Sequence, residues 1–160
     1  MKTDVVKLVI FRIGDDLFAA EVLAVDRVLR YTQPNPVPDV PRWIEGVLEH
    51  RGNVIPVVDL RRRIERTNLS IGATTRILVL NTSDGFVGAI ADAVVEVAVV
   101  PATAMSAPPP LFKGLAADVV RGVAKVHGQL VVVLDVERVL TRADRVVIDE
   151  HAAASAGDRD

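Results

Sequence analysis

The sequence predicts an all-β protein made of two related small barrels packed together, because its composition, turn pattern and internal repeat favour closed sheets. Of 160 residues, half are apolar but only 4% are aromatic, and valine alone fills 30 positions. β-Branched side chains are stiff at χ1 and pack well on a pleated surface, so this composition favours strands. Short apolar segments alternate with glycine and proline turns, and closing such strands into barrels removes exposed sheet edges.

The first half of the chain alternates apolar runs with turn residues. These runs predict strands over Val5–Ile13, Leu17–Val22, Val47–His50 and Val54–Asp59. Residues 23–30 fit a helix or a strand: Val25 and Val28 are three positions apart, as on one face of a helix, but an alternating pattern would fit the segment as well. The proline-rich segment 33–41 predicts an extended surface connection, since proline cannot donate to a sheet ladder. Residues 61–66 predict a short basic helical turn.

The second half follows the same plan. Strands are predicted over Thr75–Asn81, Phe86–Ile90 and Val94–Val100, and two more about a glycine turn in Gly122–Asp135. A short helix is expected to begin at Val136. Residues 108–110 are a second proline stretch in the place of the first. The polar, alanine-rich end of the chain predicts a largely disordered extension over residues 143–160.

An internal repeat supports two related barrels. The segment GVLEHRGNVIPVVDLRRRI begins at Gly46, and GVAKVHGQLVVVLDVERVL begins at Gly122. Aligned without gaps, they share a glycine at each start, a glycine in each turn (Gly52 and Gly128) and an aspartate at each strand end (Asp59 and Asp135). Only two copies occur, which excludes a solenoid. We expect repeat units near residues 5–66 and 75–141 within one domain over 5–142.

Charge and composition exclude several classes of protein. The net charge is −2 and there is no cysteine, so neither a nucleic-acid footprint nor a disulfide framework is present. No apolar run approaches the roughly 18 residues that a membrane helix needs. The N-terminus lacks the features of a signal peptide. We expect a cytoplasmic protein that does not insert into a membrane.

Acid–base and metal chemistry find little support. His50 and His127 each flank a turn and His151 lies in the expected tail, so we interpret them as partly exposed turn residues rather than metal ligands. No serine stands in a Gly-x-Ser-x-Gly elbow, and no phosphate-binding glycine loop occurs. We therefore expect no enzyme, no metal and no cofactor.

Three polar features of the sequence each have a structural and a functional interpretation. Asp59 and Asp135 fit duplicated caps of helical turns better than a catalytic carboxylate pair. The arginines of residues 61–66 fit a solvated face or the rim of a partner surface. Arg51 beside Gly52 on a tight turn either covers apolar surface with its stem or faces a partner as a binding hot spot.

Several segments together resemble CheW-like domains. The hallmark of that family is a Gly-Val or Gly-Ile leading to Asn-Leu-Arg-Gly and then to an apolar strand ending Pro-Val-Val-Asp-Leu. Here Gly46-Val47, Arg51-Gly52 and residues 55–61 are similar to it. Similar family-like segments in the expected order are Val9–Phe11 with Gly14-Asp15 and Phe18, Val87-Gly88 with Ala91-Asp92, Gly122–Ala124, and Leu134-Asp135. The resemblance spans about residues 5–142.

The resemblance implies a chemosensory adaptor that couples the cytoplasmic tip of a methyl-accepting chemotaxis receptor to the regulatory domain of a CheA-type histidine kinase. It implies an all-β fold of two five-stranded SH3-like barrels packed together about an apolar seam. It also implies a protein that is monomeric alone and forms rings or arrays with its partners at the inner membrane. Carried over by position, the implied kinase contacts are Val25, Arg27, Val28, Leu111 and Phe112. The implied receptor contacts are Arg51, Gly52 and Val97.

The chain departs from the family pattern in three places that bear on partners. Glu49-His50 replaces the usual Asn-Leu, Arg27 stands where an acidic residue is common, and the segment Ala104–Lys113 is only loosely family-like. A reversed charge changes partner choice more readily than fold. Two alternatives therefore stay open: a CheW-like protein of another chemosensory or motility pathway that does not couple the kinase, and a small-molecule-binding or enzymatic barrel.

Overall fold

The computed structural model describes residues 4–108 and 118–140, and most of them form strands. The strands are β1 (Val5–Ile13), β2 (Asp16–Glu21), β3 (Val25–Arg30), β4 (Ile44–His50), β5 (Asn53–Asp59), β6 (Arg76–Thr82), β7 (Gly85–Ala91), β8 (Ala93–Pro101), β9 (Met105–Ser106), β10 (Val120–Val126) and β11 (Gln129–Leu134). The helix α1 covers Leu60–Arg63, and 3-10 helices cover Val22–Ala24, Ala102–Ala104 and Val136–Arg138. The predicted all-β class is confirmed. The ambiguous residues 23–30 resolve into the end of a 3-10 helix followed by a strand.

The strands form two sheets, and each sheet takes strands from both halves of the chain. The large sheet has the order β8-β1-β2-β11-β10-β9, and the small sheet has the order β3-β6-β7-β5-β4. Each contains one parallel pairing, β2 with β11 and β5 with β7. The two sheets therefore do not coincide with the two repeat units. The β1–β2 hairpin of the first unit and the β10–β11 hairpin of the second lie together in the large sheet.

The two sheets are related by an internal symmetry that equates the edge strands β3 and β8. The β1–β2 hairpin closes at Ile13 opposite Asp16, and the β6–β7 hairpin closes at Thr82 opposite Gly85. Strand β3 pairs with β6 and β8 pairs with β1, and both pairings contain a register shift. Val28 pairs with Leu78, four residues before Thr82, and Val97 pairs with Val9, four residues before Ile13. Residues 28 and 97 therefore occupy equivalent positions on the two edge strands.

Three apolar clusters hold the sheets together. One lies inside the large sheet, one lies inside the small sheet, and the largest fills the seam between them. Neighbouring residues of one strand point to different clusters, as the two-residue period of a strand requires. Val57 lies inside the small sheet whereas Val58 faces the seam, and Val133 and Leu134 repeat this arrangement in the large sheet. The twin interiors and the seam are those expected of paired barrels.

Glycine at residues 46 and 122 has a shared steric cause. A Cβ at Gly46 would overlap the carbonyl oxygen of Asn35, and a Cβ at Gly122 would lie 2.5 Å from the carbonyl oxygen of Ser106. Asn35 belongs to the proline-rich segment and bridges to Val47, while Ser106 belongs to β9. In both repeats an incoming chain crosses the hairpin backbone so closely that only glycine fits.

Candidate partner-binding surfaces

The first candidate surface is the edge formed by Val25, Arg27 and Val28, called here the β3 surface. Val25 is half-buried against the seam, whereas Val28 is 41% exposed. Arg27 is exposed, and within the described residues its side chain makes no hydrogen bond or ion pair. Strand β3 pairs only with β6 and forms an edge of the small sheet. The surface thus combines an apolar edge with an uncompensated cation.

The second candidate surface is the β4–β5 turn at Arg51 and Gly52. Both residues have left-handed backbone angles, with φ of 52° and 79°. Two consecutive positive φ values match the right-handed twist of a hairpin, and glycine adopts them without strain. The Arg51 side chain is about half exposed, and its Nη2 lies 3.8 Å from Oδ2 of Asp26 on β3. The turn therefore adjoins the β3 surface.

His50 is a core residue, and its interpretation as a partly exposed turn residue is wrong. It is only 6% exposed. Its Nε2–H donates to Oδ2 of Asp26 over 3.3 Å, and its ring meets the ring of Phe86 edge-on with centroids 5.5 Å apart. A buried imidazole needs such partners. Asp26 lies 24 residues away in the chain, so no local pattern predicts the contact.

The predicted receptor residue Val97 lies on the other sheet. It stands on β8 and is 62% exposed, with Val95 and Val99 exposed on either side of it. By the internal symmetry it matches Val28, so the two apolar edges are duplicates of one feature. The structure brings Arg51 and Gly52 to β3 and places Val97 on the equivalent edge. Leu111 and Phe112 lie outside the described residues.

The turn equivalent to Arg51-Gly52 is His127-Gly128 in the β10–β11 hairpin. Its φ values of 51° and 78° repeat those of the first turn. His127 is largely exposed, and its Nε2 lies 3.0 Å from Oε1 of Glu96 on β8. Each sheet thus joins its hairpin turn to its edge strand through a carboxylate. The roles of Asp26 and Glu96 are not predicted from the sequence, because their partners His50 and His127 lie 24 and 31 residues away in the chain.

Asp59 and Asp135 both cap helical turns and do not form a pair. Asp59 Oδ1 accepts from the backbone N–H of Arg61 at 3.0 Å, and Asp135 Oδ1 accepts from the N–H of Glu137 at 3.1 Å. The two differ in their surroundings. Asp59 is buried and also binds the guanidinium of Arg61 at 2.9 and 3.0 Å, whereas the Asp135 side chain is 33% exposed and its Oδ2 lies 3.6 Å from Nε of Arg138. The caps are duplicated, as their repeat positions suggest.

The arginine run is not a solvated face, and that interpretation is wrong for Arg61 and Arg63. Both side chains are 2% exposed. Besides Asp59, Arg61 donates to the Ser70 carbonyl at 2.6 Å and to Asp92 at 3.2 Å. Burial acts to lower the pKa of Arg61, but Asp59 and Asp92 more than offset it, so the pKa lies above its ordinary value. The guanidinium stays charged.

Arg63 ties the first repeat to the second. Its guanidinium lies 5.3 Å from the centre of the Trp43 ring, and its Nε donates to the Val139 carbonyl at 3.3 Å. Residues 63 and 139 are equivalent in the repeat alignment. A cation on an aromatic face that also satisfies a buried carbonyl stabilises the junction between the sheets. Arg61 and Arg63 are therefore structural, and we take the edge strands and turns as the candidate surfaces.

A pocket suited to small-molecule chemistry is not apparent in the described part of the chain. The main groove, of about 440 Å³, is open and lies beside the β10–β11 turn. Its lining mixes apolar side chains with charged ones such as Arg12, Asp15 and Glu96. Within residues 4–108 and 118–140, no group of three or more metal-ligating side chains converges. No helix in those ranges has the length and apolarity to cross a bilayer.

This chain resembles CheW-like proteins in its sequence. The model of the CheW-like domain matches residues 7–144. Chemotaxis protein CheW of Treponema pallidum (strain Nichols) is 24% identical over 139 residues, covering 84% of this chain and 82% of the relative. Protein FrzA of Myxococcus xanthus is 37% identical over 118 residues, covering 74% of this chain and 73% of the relative.

A solved structure shows the same arrangement of strands. The crystal structure of scaffolding protein TtCheW from Thermoanaerobacter tengcongensis superposes with a TM-score of 0.79 at 25% identity. The superposition covers 87% of this chain and 94% of that chain. Because the superposition covers 87% of this chain, the similarity extends over both sheets.

Proposed function

The chain belongs to the family of CheW-like domains, and from that membership we propose that it is a non-catalytic adaptor coupling methyl-accepting chemoreceptors to a CheA-type histidine kinase. The observation that carries the proposal is the match of the CheW-like domain model over residues 7–144. The duplicated apolar edges support it, since exposed apolar patches on a folded domain mark interaction sites.

We assign the kinase regulatory domain to the β3 surface, with a second contact at Leu111 and Phe112. The receptor tip is assigned to Arg51, Gly52 and Val97. An edge strand with an exposed valine suits apolar contact with another domain, and an arginine on a rigid turn is a frequent hot-spot residue. Two different patches on one rigid body make heterologous contacts, which close into rings or extend into arrays.

Such an adaptor needs only modest affinity for each partner. A micromolar contact corresponds to about −8 kcal/mol. Several contacts held together raise the effective concentration of each partner, so the assembly dissociates slowly. A signal then passes when the adaptor binds one receptor state better than another. In this proposal the adaptor is monomeric alone and joins receptor arrays at the cytoplasmic side of the inner membrane.

The test is a charge placed on the β3 surface. Val25→Glu and, as the variant with less packing to lose, Val28→Glu are expected to weaken binding of the kinase regulatory domain at least tenfold by calorimetry, because a carboxylate replaces apolar contact. Val54→Glu is the matched control, since Val54 is an exposed valine on β5. Kinase binding that is unchanged in folded Val28→Glu protein contradicts the assignment.

A second candidate function is an adaptor of another chemosensory or motility pathway that binds receptor without coupling the kinase. The 37% identity to protein FrzA, against 24% to the CheW of Treponema pallidum, favours it. The exposed residues Arg27 and Glu49 favour it as well, because they depart from the family pattern at or beside the candidate contacts, whereas His50 is buried. Pull-down from native extract separates the two functions: receptor and kinase together support coupling, and receptor without kinase supports this second candidate.

A further inference from the structure

Two arginines face each other across the end of the small sheet. Arg30, the last residue of β3, pairs with Arg76, the first residue of β6. Directly opposed residues of antiparallel strands hold their Cβ atoms about 5 Å apart, and like charges in such a pair destabilise the sheet. Within residues 4–108 and 118–140, neither arginine forms an ion pair with a carboxylate. The repulsion between them is therefore not offset by any acidic side chain in those ranges.

The two side chains of this pair are presented differently. Arg30 is exposed and makes no hydrogen bond with the described part of the chain. Arg76 is half-buried, and its Nη1 donates to the carbonyl oxygens of Ala73 and Thr75, both at 2.9 Å. These two hydrogen bonds orient the Arg76 guanidinium at the end of the sheet. A carboxylate that binds the exposed Arg30 can therefore accept from an already oriented second guanidinium.

The arginine pair lines an open groove that continues the β3 surface. The groove has a volume of about 370 Å³, and its lining also includes Tyr31 and Ile71. Ile71 is 46% exposed, and Tyr31 packs against the apolar interior of the small sheet. A small free anion gains nothing from such apolar walls, whereas a protein surface carrying both carboxylates and apolar side chains contacts all of them. The lining therefore favours an acidic segment of a protein as the occupant.

The equivalent edge of the large sheet shows that the fold does not require this pair. The internal symmetry of the edge strands equates Arg30 with Val99 and Arg76 with Lys7, and Lys7 and Val99 are opposed in the β1–β8 pairing. The same framework is thus built there with one cation opposite a valine and without like charges. The arginine pair is a feature of the β3 edge, and its destabilising charge needs an explanation outside the fold.

We propose that Arg30 and Arg76 form a binding site for a carboxylate of the protein that docks on the β3 surface, an inference that rests on the assignment of the kinase regulatory domain to that surface. One carboxylate accepts hydrogen bonds from both guanidinium groups and neutralises the repulsion between them. Arg27 lies three residues before Arg30, roughly 10 Å along the strand, and faces a second acidic residue of the same partner. Between the two contacts, apolar side chains of the partner cover Val28.

The experiment measures binding of the kinase regulatory domain, taken from the genome that encodes this chain, to the full chain by calorimetry. Arg30→Gln is expected to weaken binding at least about fivefold, and Arg30→Glu at least about twentyfold, because a carboxylate then faces a carboxylate. Both differences from the unmodified protein are expected to shrink at high ionic strength. Lys7→Gln is the matched control: it removes one exposed positive charge from the equivalent pairing of the large sheet and is expected to change the affinity less than about twofold.

The possible results separate this inference from the proposed function. Because Arg30→Gln removes a like charge, its melting temperature is expected to equal or exceed that of the unmodified protein, and a lower one would assign Arg30 to the fold and overturn the inference. If Val28→Glu weakens kinase binding but Arg30→Gln does not, or if Lys7→Gln weakens it equally, the inference is overturned and the proposed function stands. If the kinase domain does not bind the unmodified protein, both are overturned.

Discussion

The two hairpins at the ends of β1 and β6 are equivalent, yet they are anchored by different chemistry. In the first, the N–H of Gly14 donates to Oδ2 of Asp92 at 2.6 Å, and Asp92 is held by the buried Arg61. In the second, the N–H of Ser83 donates directly to the carboxylate of Glu137 at 3.0 Å. Residues 61 and 137 are equivalent in the repeat, so an arginine and a glutamate perform one task with opposite charges.

This difference shows which features of the duplicated framework are fixed and which are free to change. The glycines at the strand crossings recur because only glycine fits there. The capping aspartates recur because each accepts a hydrogen bond from the N–H two residues further along the chain. The charges differ, because either sign can anchor a hairpin if a complementary group faces it. In the first half, Asp59 and Arg61 form an ion pair in the interior, whereas in the second half Glu137 binds Ser83 at the surface. The two halves are expected to respond differently to the same truncation.

The largest effect is expected from removing the central charge of the buried network. Arg61→Ala leaves Asp59 buried and unpaired and releases Asp92, so we expect a loss of about 3–5 kcal/mol in the free energy of unfolding. Glu137→Ala, at the equivalent exposed position, is expected to cost about 1 kcal/mol or less. Urea denaturation followed by circular dichroism measures both. Equal losses in the two variants contradict the distinction between the halves.

A second prediction concerns the glycines that the halves share. Gly46→Ala and Gly122→Ala each push a Cβ into a backbone carbonyl that cannot move aside, so each is expected to cost about 3 kcal/mol. Gly52→Ala is the control: its positive φ costs about 1–2 kcal/mol, but nothing lies within 4 Å of the added methyl group. The same denaturation assay ranks the three. A Gly46 variant no worse than the Gly52 variant argues against the close crossing.

The sequence predicts the repeated features well and the long-range ones poorly. Gly46, Gly122 and the capping aspartates are visible because the repeat aligns them and each acts on its near neighbours. The exchange of hairpins between sheets is not visible, since the hairpins of β1 and β6 share little sequence. Nor is the burial of His50 and Arg61, because their partners Asp26 and Asp92 lie 24 and 31 residues away. When its partner is not known, a polar residue is predicted to be exposed.

The capping aspartates give a third, smaller effect. Asp135→Ala removes the hydrogen bond to the N–H of Glu137 and a largely exposed ion pair with Arg138, and it is expected to cost about 1 kcal/mol. Asp59→Ala removes the same cap and also the buried partner of Arg61, so it is expected to cost more, about 3 kcal/mol. The difference between the two reports mainly the buried ion pair, because an exposed pair contributes little. If both variants lose the same stability, the Asp59–Arg61 pair contributes nothing beyond the capping hydrogen bond.

The smallest effect is expected where the arginine run reaches the surface. Arg66 lies 2.7 Å from Asp16 beside the same β1–β2 hairpin that Arg61 anchors, but about half of each side chain is exposed. Water and salt screen such a pair, so Arg66→Ala is expected to cost about 0.5 kcal/mol, and less as ionic strength rises. Denaturation at low and high salt checks this against Arg61→Ala, whose larger cost is expected to persist in salt because the pair is buried. A cost at Arg66 that rivals that at Arg61 would mean that burial does not separate these two arginines.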